Sequence, residues 1–443
     1  MHIAVLSDWE ASGGANIAAL RLTEGLAAAG HQITRIYQKA RTEDVRWSTR
    51  LIPSLWSSHE FSLPRKVAWR VMPDSLKSTL HQRHSQRTLA AILNEIQPDV
   101  VHLHNLHIGG WSPEMIRVCT AQAPTVCTLH DTWTLTGRCY NPGDCEKYLT
   151  GCDHLCPTAH EYPALKPHQI RPAWDLRLQI FRQSKNLAAV TPSSWLGHLA
   201  AAQMWKARPV FRIPYGLDLQ IYMPMNRETA QRALGLRPED PVILCCAAEL
   251  SNRKKGLHLV VDALAAGLGR IQLLLLGALT VLPTLPNAEV HNLGYIESDR
   301  MKALVYSSAD LYVHPSLADN APNTVIEALA CGTPAVALPI DGLPEMVIPG
   351  KTGWLASGVS SDALRTALKS ALADLDAGAN LRGSCRRFAE QQYNMPKVIQ
   401  AYERVFEFMR TGQKDGVTEL FLGAPGRPMQ IESIEPSLAP VEP

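Results

Sequence analysis

At 443 residues the chain exceeds the usual size of one hydrophobic core, and its 46% apolar and 19% charged residues describe an ordinary soluble globular protein of two domains. No apolar run approaches the ~20 residues that span a bilayer, which excludes a helical membrane protein, and ten cysteines over this length exclude a disulfide scaffold. The formal charge of +2 hides an asymmetry, because residues 1–215 carry 23 Lys and Arg against 16 Asp and Glu while the remainder carries 20 against 25.

The N-terminus runs straight into a strand, His2 to Leu6. No basic n-region, long apolar stretch or cleavage site precedes it, so the sequence predicts a cytoplasmic chain. A loop ending in Gly13-Gly14 leads to a helix, Ala15 to Ala29, stopped by Gly30. The two glycines sit where a first strand-to-helix turn would let backbone approach a ligand, although the full Gly-x-Gly-x-x-Gly spacing is absent. His31 to Tyr37 is the next strand, and residues 40–85 look irregular. Arg65, Lys66, Arg70, Lys77, Arg83 and Arg87 concentrate positive charge here, interleaved with Trp69 and Val71. Such a stretch reads first as a solvated helix face, and otherwise suits an anionic membrane surface at the inner face of the membrane. No nucleic-acid recognition module accompanies it.

Leu89 to Ile96 reads as a helix, Asp99 to His104 as a buried strand, and Pro124 to Leu129 as another. The alternation implies a parallel sheet with helices on both faces. His130-Asp131 follows the last strand, at a carboxyl end, with His104 and Trp133 as neighbours. Residues 137–165 then break the rhythm. Cys139, Cys145, Cys152 and Cys156 fall within 18 residues. In a chain with no secretion signal this favours a metal over disulfides, and four thiolates around Zn²⁺ would staple a loop that has no core of its own. An Fe–S cluster or reduced thiols are the alternatives.

Ala188 to Pro192 is a strand, followed by Ser193-Ser194-Trp195 and a helix. Pro214-Tyr215-Gly216-Leu217-Asp218 is a turn and marks the domain boundary. The predicted organisation is an N-terminal Rossmann-like domain over 1–215, a C-terminal one over 216–394, a helix over 395–411 packing back on the first domain, and a disordered tail over 412–443. In the second domain the strand Pro241 to Ala247 precedes a loop with three consecutive cations, Arg253-Lys254-Lys255, before Gly256 and a helix. The strand Ala309 to Val313 enters a polar loop, and a helix leaves it over Asn323 to Cys331, with Pro322 at its start and Gly332 at its stop. Free N–H groups at such a helix start make an anion site, usually for phosphate. Asp319 and Glu327 bracket it with seven residues between them. Together with Arg253 and Lys255 they suit a diphosphate and the hydroxyls of a sugar or ribose; a solvated surface loop is the plainer reading of the spacing.

From Asp319 through Pro334, Asp-Asn-Ala-Pro-Asn-Thr-Val-Ile-Glu-Ala-Leu-Ala-Cys-Gly-Thr-Pro, the chain resembles the GT-B-fold retaining glycosyltransferases of glycosyltransferase family 4, which make bacterial cell-surface polysaccharides and exopolysaccharides. The likeness covers about residues 1–410. It implies two Rossmann-like domains facing a cleft, a nucleoside-diphosphate-sugar donor and a glycan or lipid-linked acceptor. It places Asp319 by the donor sugar, Glu327 on the ribose, Asn323 and Thr324 at the donor, Lys255 of Lys255-Gly256 on the diphosphate, and Gly13-Gly14 on the acceptor side. His130-Asp131-x-Trp133-x-x-Thr136-Gly137 and the cysteines after it resemble a polysaccharide-enzyme subgroup, and His130 would bond the donor sugar or orient the acceptor. The chain departs from the pattern at Asp319, where Glu is usual, and at Leu250, where many members carry Arg; Arg253 is the substitute this predicts. No Asp-x-Asp element of the kind used by metal-dependent transferases is evident, so no catalytic divalent ion is expected. A sugar-nucleotide epimerase of the same fold and a non-catalytic nucleotide-sugar-binding protein remain open on the sequence.

Overall fold

In the computed structural model of the protein, the described residues are 1–7, 13–37, 48–52, 72–107, 111–414 and 416–422. They form two parallel sheets. The first has seven strands in the order β3-β2-β1-β4-β5-β6-β7: β1 (His2–Leu6), β2 (Gln32–Tyr37), β3 (Ser48–Leu51), β4 (Val100–His104), β5 (Thr125–Thr128), β6 (Leu187–Thr191) and β7 (Val210–Arg212). The second has six in the order β10-β9-β8-β11-β12-β13: β8 (Val242–Glu249), β9 (Ile271–Ala278), β10 (Ala288–Asn292), β11 (Leu311–His314), β12 (Ala335–Ala337) and β13 (Gly353–Leu355). This is the two-domain α/β architecture the alternating pattern predicts.

Strand alternation explains the layers. Along β1, Ala4 and Leu6 enter one buried cluster while Ile3 and Val5 enter another on the opposite face. In β8, Val242 and Leu244 face one side, and Ile243 and Cys245 the other. Both faces of each sheet are covered, so the central strands read as near-continuous apolar runs.

The helix Met395–Thr411 follows the second domain in sequence but packs under the first sheet. Val398, Ile399, Tyr402, Val405 and Phe406 fall on one helical face and join the cluster of Ile3, Val5 and Leu26. Asn394 caps the helix by accepting from Lys397 N–H. The two chain crossings run side by side: Leu217 N–H donates to Tyr393 O at 2.8 Å, and a Cβ on Gly216 would lie 2.6 Å from Met395 Sδ. A larger residue at 216 would push the crossings apart.

Two expectations change. The helix ending at Ile96 begins at Asp74 and runs 23 residues. Its buried apolar residues are Leu89, Ile92 and Leu93, so the periodic signal exists only near its C-terminal end. Arg65, Lys66 and Arg70 lie outside the described residues, whereas Arg83 and Arg87 stand exposed one turn apart on this helix. Among the described residues, no helix is long and apolar enough to cross a membrane. The start of the tail is ordered: Leu422 N–H donates to Val210 O at 2.9 Å, Phe421 packs on Phe211, and Val417 is buried. These few residues satisfy the free edge of β7, which periodicity cannot reveal. Residues 423–443 lie outside the described residues.

The insertion at 137–165 is stapled by two buried arginines. Arg138 donates to Pro163 O at 2.8 Å, Thr158 Oγ1 at 2.9 Å and Glu161 O at 2.6 Å. Arg177, from the helix Pro167–Gln183, donates to Gly137 O at 2.6 Å and Thr136 O at 3.1 Å, and stacks 4.1 Å above the Trp133 ring. Arg177→Ala strands two buried carbonyls and opens a cavity, a cost of about 2–4 kcal/mol. The thermal midpoint should fall by several degrees, as measured by calorimetry; a midpoint within about 1 °C of the parent would contradict this account.

Candidate functional site

The carboxyl ends of the strands point into a cleft between the sheets. Residues after β1, β4 and β5 supply Gly13, Gly14, Asn105, His107, His130 and Asp131; those after β8 and β11 supply Lys255, Asp319 and Asn323. The walls enclose a cavity of about 390 Å³. A second cavity of about 200 Å³ continues from it, lined by Lys255, Gly277, Ile296, His314, Thr324 and Glu327, among others.

Lys255 is delivered by a short 3₁₀ turn, Arg253–Lys255, closed by Gly256 at φ 75°. A Cβ at Gly256 would sit 1.9 Å from Pro315 O, so no other residue fits without moving the loop. The turn sends its three cations three ways. Lys255 Nζ donates to Asp319 Oδ2 at 2.8 Å. Lys254 Nζ donates to Glu161 Oε2 at 2.7 Å in the insertion. Arg253 is exposed and lines neither cavity, so the structure does not support it as the substitute for the arginine replaced by buried Leu250.

Asp319 is held from both sides, with His314 Nε2 at 3.3 Å from the same oxygen. Burial alone would raise its carboxyl; the Lys255 ammonium and His314 outweigh that and hold it well below the usual carboxylate range. Its own N–H donates to Asp341 Oδ2 at 3.0 Å. Glu327 is buried one helical turn inside Asn323–Ala330, where Tyr306 Oη donates to Oε2 at 2.9 Å. Its other oxygen accepts from Arg21 Nη2 at 2.8 Å. Arg21 comes from the helix Gly14–Ala28 of the other domain and also bonds Tyr222 Oη at 3.1 Å and Asp299 Oδ2 at 3.3 Å. Burial would lower the Arg21 guanidinium, and Glu327, Tyr222 and Asp299 more than reverse this.

Further ties close the cleft. Asn323 Nδ2 donates to Gly14 O at 2.8 Å, so the glycine turn meets the helix start directly. Asn320 Nδ2 donates to His130 O at 3.2 Å. The Glu345 carboxylate accepts from Ser194 N–H at 2.8 Å and Trp195 N–H at 2.7 Å, a cross-domain cap on the positive end of the helix Ser194–Ala202. Thr324 Oγ1 accepts from Tyr312 Oη at 2.8 Å.

Both ring nitrogens of His130 are engaged. Nδ1 bonds Tyr215 Oη at 2.6 Å and Nε2 bonds His104 Nδ1 at 3.0 Å. Burial, then neighbouring His107, pushes its pKa down to about 3. His130 is therefore a neutral, fixed hydrogen-bonding group at pH 7. Asp131 accepts from Trp133 N–H at 2.8 Å and lies 3.5 Å from His107 Nε2, which stacks on Trp133. Asn105, His107, Arg21 and Asp341 are site residues that sequence reading did not single out. The first two follow β4 and could have been found by asking which residues share its carboxyl end; nothing local marks Arg21 or Asp341.

Among the described residues, no three His, Cys, Asp or Glu side chains converge to hold a metal ion. Cys139, Cys145, Cys152 and Cys156 are free thiols, and Cys156 Sγ sits 3.8 Å from Arg138 Nη1. Cys152 lies within electrostatic reach of Cys139, Cys145 and Cys156, and Arg138 and Arg177 staple the same loop. One Asp-x-Asp triplet, Asp374-Leu375-Asp376, ends the helix Ser361–Asp376; Asp374 accepts from Trp354 Nε1 there, and neither acid lines the cleft.

Two family descriptions match the chain: Glycosyltransferase Family 4 over residues 12–221 and Glycosyl transferases group 1 over residues 240–374. The chain is 29% identical over 269 residues to a putative colanic acid biosynthesis glycosyl transferase, WcaC, of Escherichia coli K12, which covers 56% of this chain and 62% of that one. It is 28% identical over 210 residues to a D-inositol 3-phosphate glycosyltransferase of Segniliparus rotundus, covering 44% and 46%. The match thus spans less than two thirds of the length of these relatives. Among solved structures, a sucrose-phosphate synthase of Thermosynechococcus elongatus superposes with a TM-score of 0.69 at 21% identity, over 93% of this chain and 100% of that one. HepE of Anabaena, solved with UDP and glucose, gives 0.62 at 15% identity, over 91% and 99%. These likenesses establish the GT-B fold.

The buried histidines make a pH prediction. His102 and His104 are both almost wholly buried, and burial pushes His102 down to about 3 and His104 well below its ordinary value. An unfolded chain protonates histidine near 6.5. Between there and about 3 the unfolded state binds more protons, so this stability is complete above pH 6.5 and is lost as pH falls. At pH 5 each neutral histidine costs up to about 2 kcal/mol. The thermal midpoint should therefore drop measurably between pH 7 and pH 5; a flat profile would contradict neutral burial of this pair.

Proposed function

The chain belongs to the glycosyltransferases of group 1 and family 4, and from that membership we propose that it moves a sugar from a nucleoside diphosphate sugar to a hydroxyl of a glycan or lipid-linked acceptor, with retention of anomeric configuration, in polysaccharide biosynthesis. The observation that carries the reading is the convergence of Lys255, Asp319, the Asn323 helix start and Glu327 on one closed cleft between two parallel-sheet domains. UDP, which HepE holds on the same fold, belongs to the donor class that suits this arrangement.

In this reading the smaller cavity takes the nucleoside, and Glu327 accepts from ribose hydroxyls. Each of its oxygens already accepts one hydrogen bond, from Arg21 and Tyr306, and retains a second lone pair. The diphosphate lies over the first turn of Asn323–Ala330, whose N–H groups and dipole favour anions. Lys255 then exchanges Asp319 for the phosphate. When the C1–oxygen bond breaks, the electron pair stays on the diphosphate, and Lys255 with the helix start stabilises that charge in a site closed to water. The acceptor oxygen bonds C1 on the same face, and its proton passes to the leaving phosphate oxygen. Asp319, released from Lys255 and still beside His314, faces the donor sugar. His130 is neutral and takes no proton; to orient the sugar or the acceptor it exchanges its bond to Tyr215 or His104 for one to a hydroxyl.

A lipid-linked acceptor would bring the protein to an anionic membrane surface, toward which exposed Arg83 and Arg87 supply positive charge. No step of this reaction calls on a divalent ion.

Nucleotide sugars carrying uridine, guanosine or adenosine, screened by thermal shift, should include one class that raises the midpoint. With that donor, Lys255→Ala should lower kcat by about 10²–10³ while the fold survives. Glu327→Gln should raise the donor KM by at least about tenfold, having lost a charge-assisted acceptor for the ribose. Near-parental turnover by a well-folded Lys255→Ala variant would sink the assignment.

A further inference from the structure

The insertion at 137–165 has so far appeared only as a loop held by arginines, yet it builds one wall of the larger cavity. Tyr140, Asn141 and Tyr162 line that cavity together with Asp319. Tyr162 is 58% exposed although an aromatic ring gains by burial, and its ring centroid lies 6.3 Å from that of Tyr140. Resting on the transferase reading above, we propose that this tyrosine pair is the acceptor subsite, and that the acceptor end it takes is an uncharged pyranose ring.

Three observations carry the assignment. The shelf is fixed relative to the reacting centre. Asn141 Nδ2 donates to Asp341 Oδ2 at 2.7 Å, and the same oxygen accepts from Asp319 N–H at 3.0 Å. One carboxylate oxygen therefore joins the insertion to the backbone of the residue facing the donor sugar. On the other side of the pair, Lys254 lies 5.1 Å from the Tyr140 ring centroid and bonds Glu161, tying the insertion again to the donor domain.

The cavity's chemistry is that of a sugar site. A pyranose presents a patch of C–H groups on one face and hydroxyls around its rim. An exposed tyrosine ring covers the first, and short polar side chains serve the second. Asn105, His107 and Asp131 stand along the wall to do so.

The charge balance of the described lining does not suit an anionic acceptor end. Among the described residues lining this cavity the sole Lys or Arg is Lys255, which the diphosphate claims. The lining histidines are pushed below their ordinary values, His130 to about 3 and His107 by burial first. A phosphorylated polyol, such as the substrate in the names of the inositol phosphate glycosyltransferases, would bring a dianion that meets no further cation in the described lining.

Saturation-transfer NMR on the full chain tests this, with methyl β-glucopyranoside, methyl β-galactopyranoside and myo-inositol 1-phosphate as probes, each read with and without UDP. The expected result is saturation of pyranose ring protons, reduced at least fivefold in Tyr162→Ala and in Tyr140→Ala, retained in Tyr162→Phe, and absent for the inositol phosphate. UDP affinity by calorimetry should be unchanged in all three variants. No transfer to either pyranoside, transfer unaffected by both alanine variants, or stronger transfer to the inositol phosphate would each overturn the proposal. Failure of UDP, GDP and ADP alike to bind the parent would overturn the donor reading instead, because the pyranoside signal is read independently of it.

Discussion

A carboxylate taken out of water must be met by a cation or by hydrogen-bond donors, and the architecture of this protein follows from how Glu327 meets that requirement. Tyr306 satisfies one oxygen from within the same domain. The other is met by Arg21, which lies on the first helix of the opposite domain, 306 residues away in sequence. Removing one partner of such a buried pair typically costs about 3–5 kcal/mol, because the other charge is left uncompensated. The closed arrangement of the two sheets is therefore written into the proposed donor site itself. Asn323 on Gly14 and Glu345 on the helix start at Ser194 extend the same coupling along the cleft.

Lys255 and Asp319 follow a related logic on a different scale. Both belong to the second domain and both face the cavity, and their contact leaves neither charge unpaired before a donor arrives. A diphosphate carries more charge than one aspartate, so exchange of partner favours the ligand without requiring Lys255 to be held bare. The shorter side chain of Asp319, where the family usually has Glu, is compatible with this pairing because His314 sits on the same oxygen and fixes it in place.

Much of this could be read from the sequence, and what could not has a common cause. The strand–loop–helix unit from Ala309 to Gly332 is local: β-rich apolar residues, a proline before the helix and a glycine after it announce it without reference to the rest of the chain. The same holds for the cationic turn before Gly256. The local residues do not say which of its three cations faces the cleft, because a 3₁₀ turn fans them apart and each direction is fixed by a partner elsewhere, Asp319, Glu161 or solvent; only the family resemblance singled out Lys255. The buried Arg138 and Arg177 that hold the insertion look, in sequence, like any surface arginine. Arg21 is the clearest case. Nothing near it marks it, and its role exists only once the two domains face each other.

The central claim is that Glu327, Lys255 and the Asn323 helix start form one nucleoside diphosphate site across a closed cleft. A crystal structure of the full chain with UDP tests it most directly. The account predicts ribose hydroxyls within hydrogen-bond distance of Glu327, the diphosphate over the first turn of Asn323–Ala330, and Lys255 Nζ moved from Asp319 to a phosphate oxygen. UDP bound outside the cleft, or bound within it while the Lys255–Asp319 pair stays intact and the ribose turns away from Glu327, would contradict it.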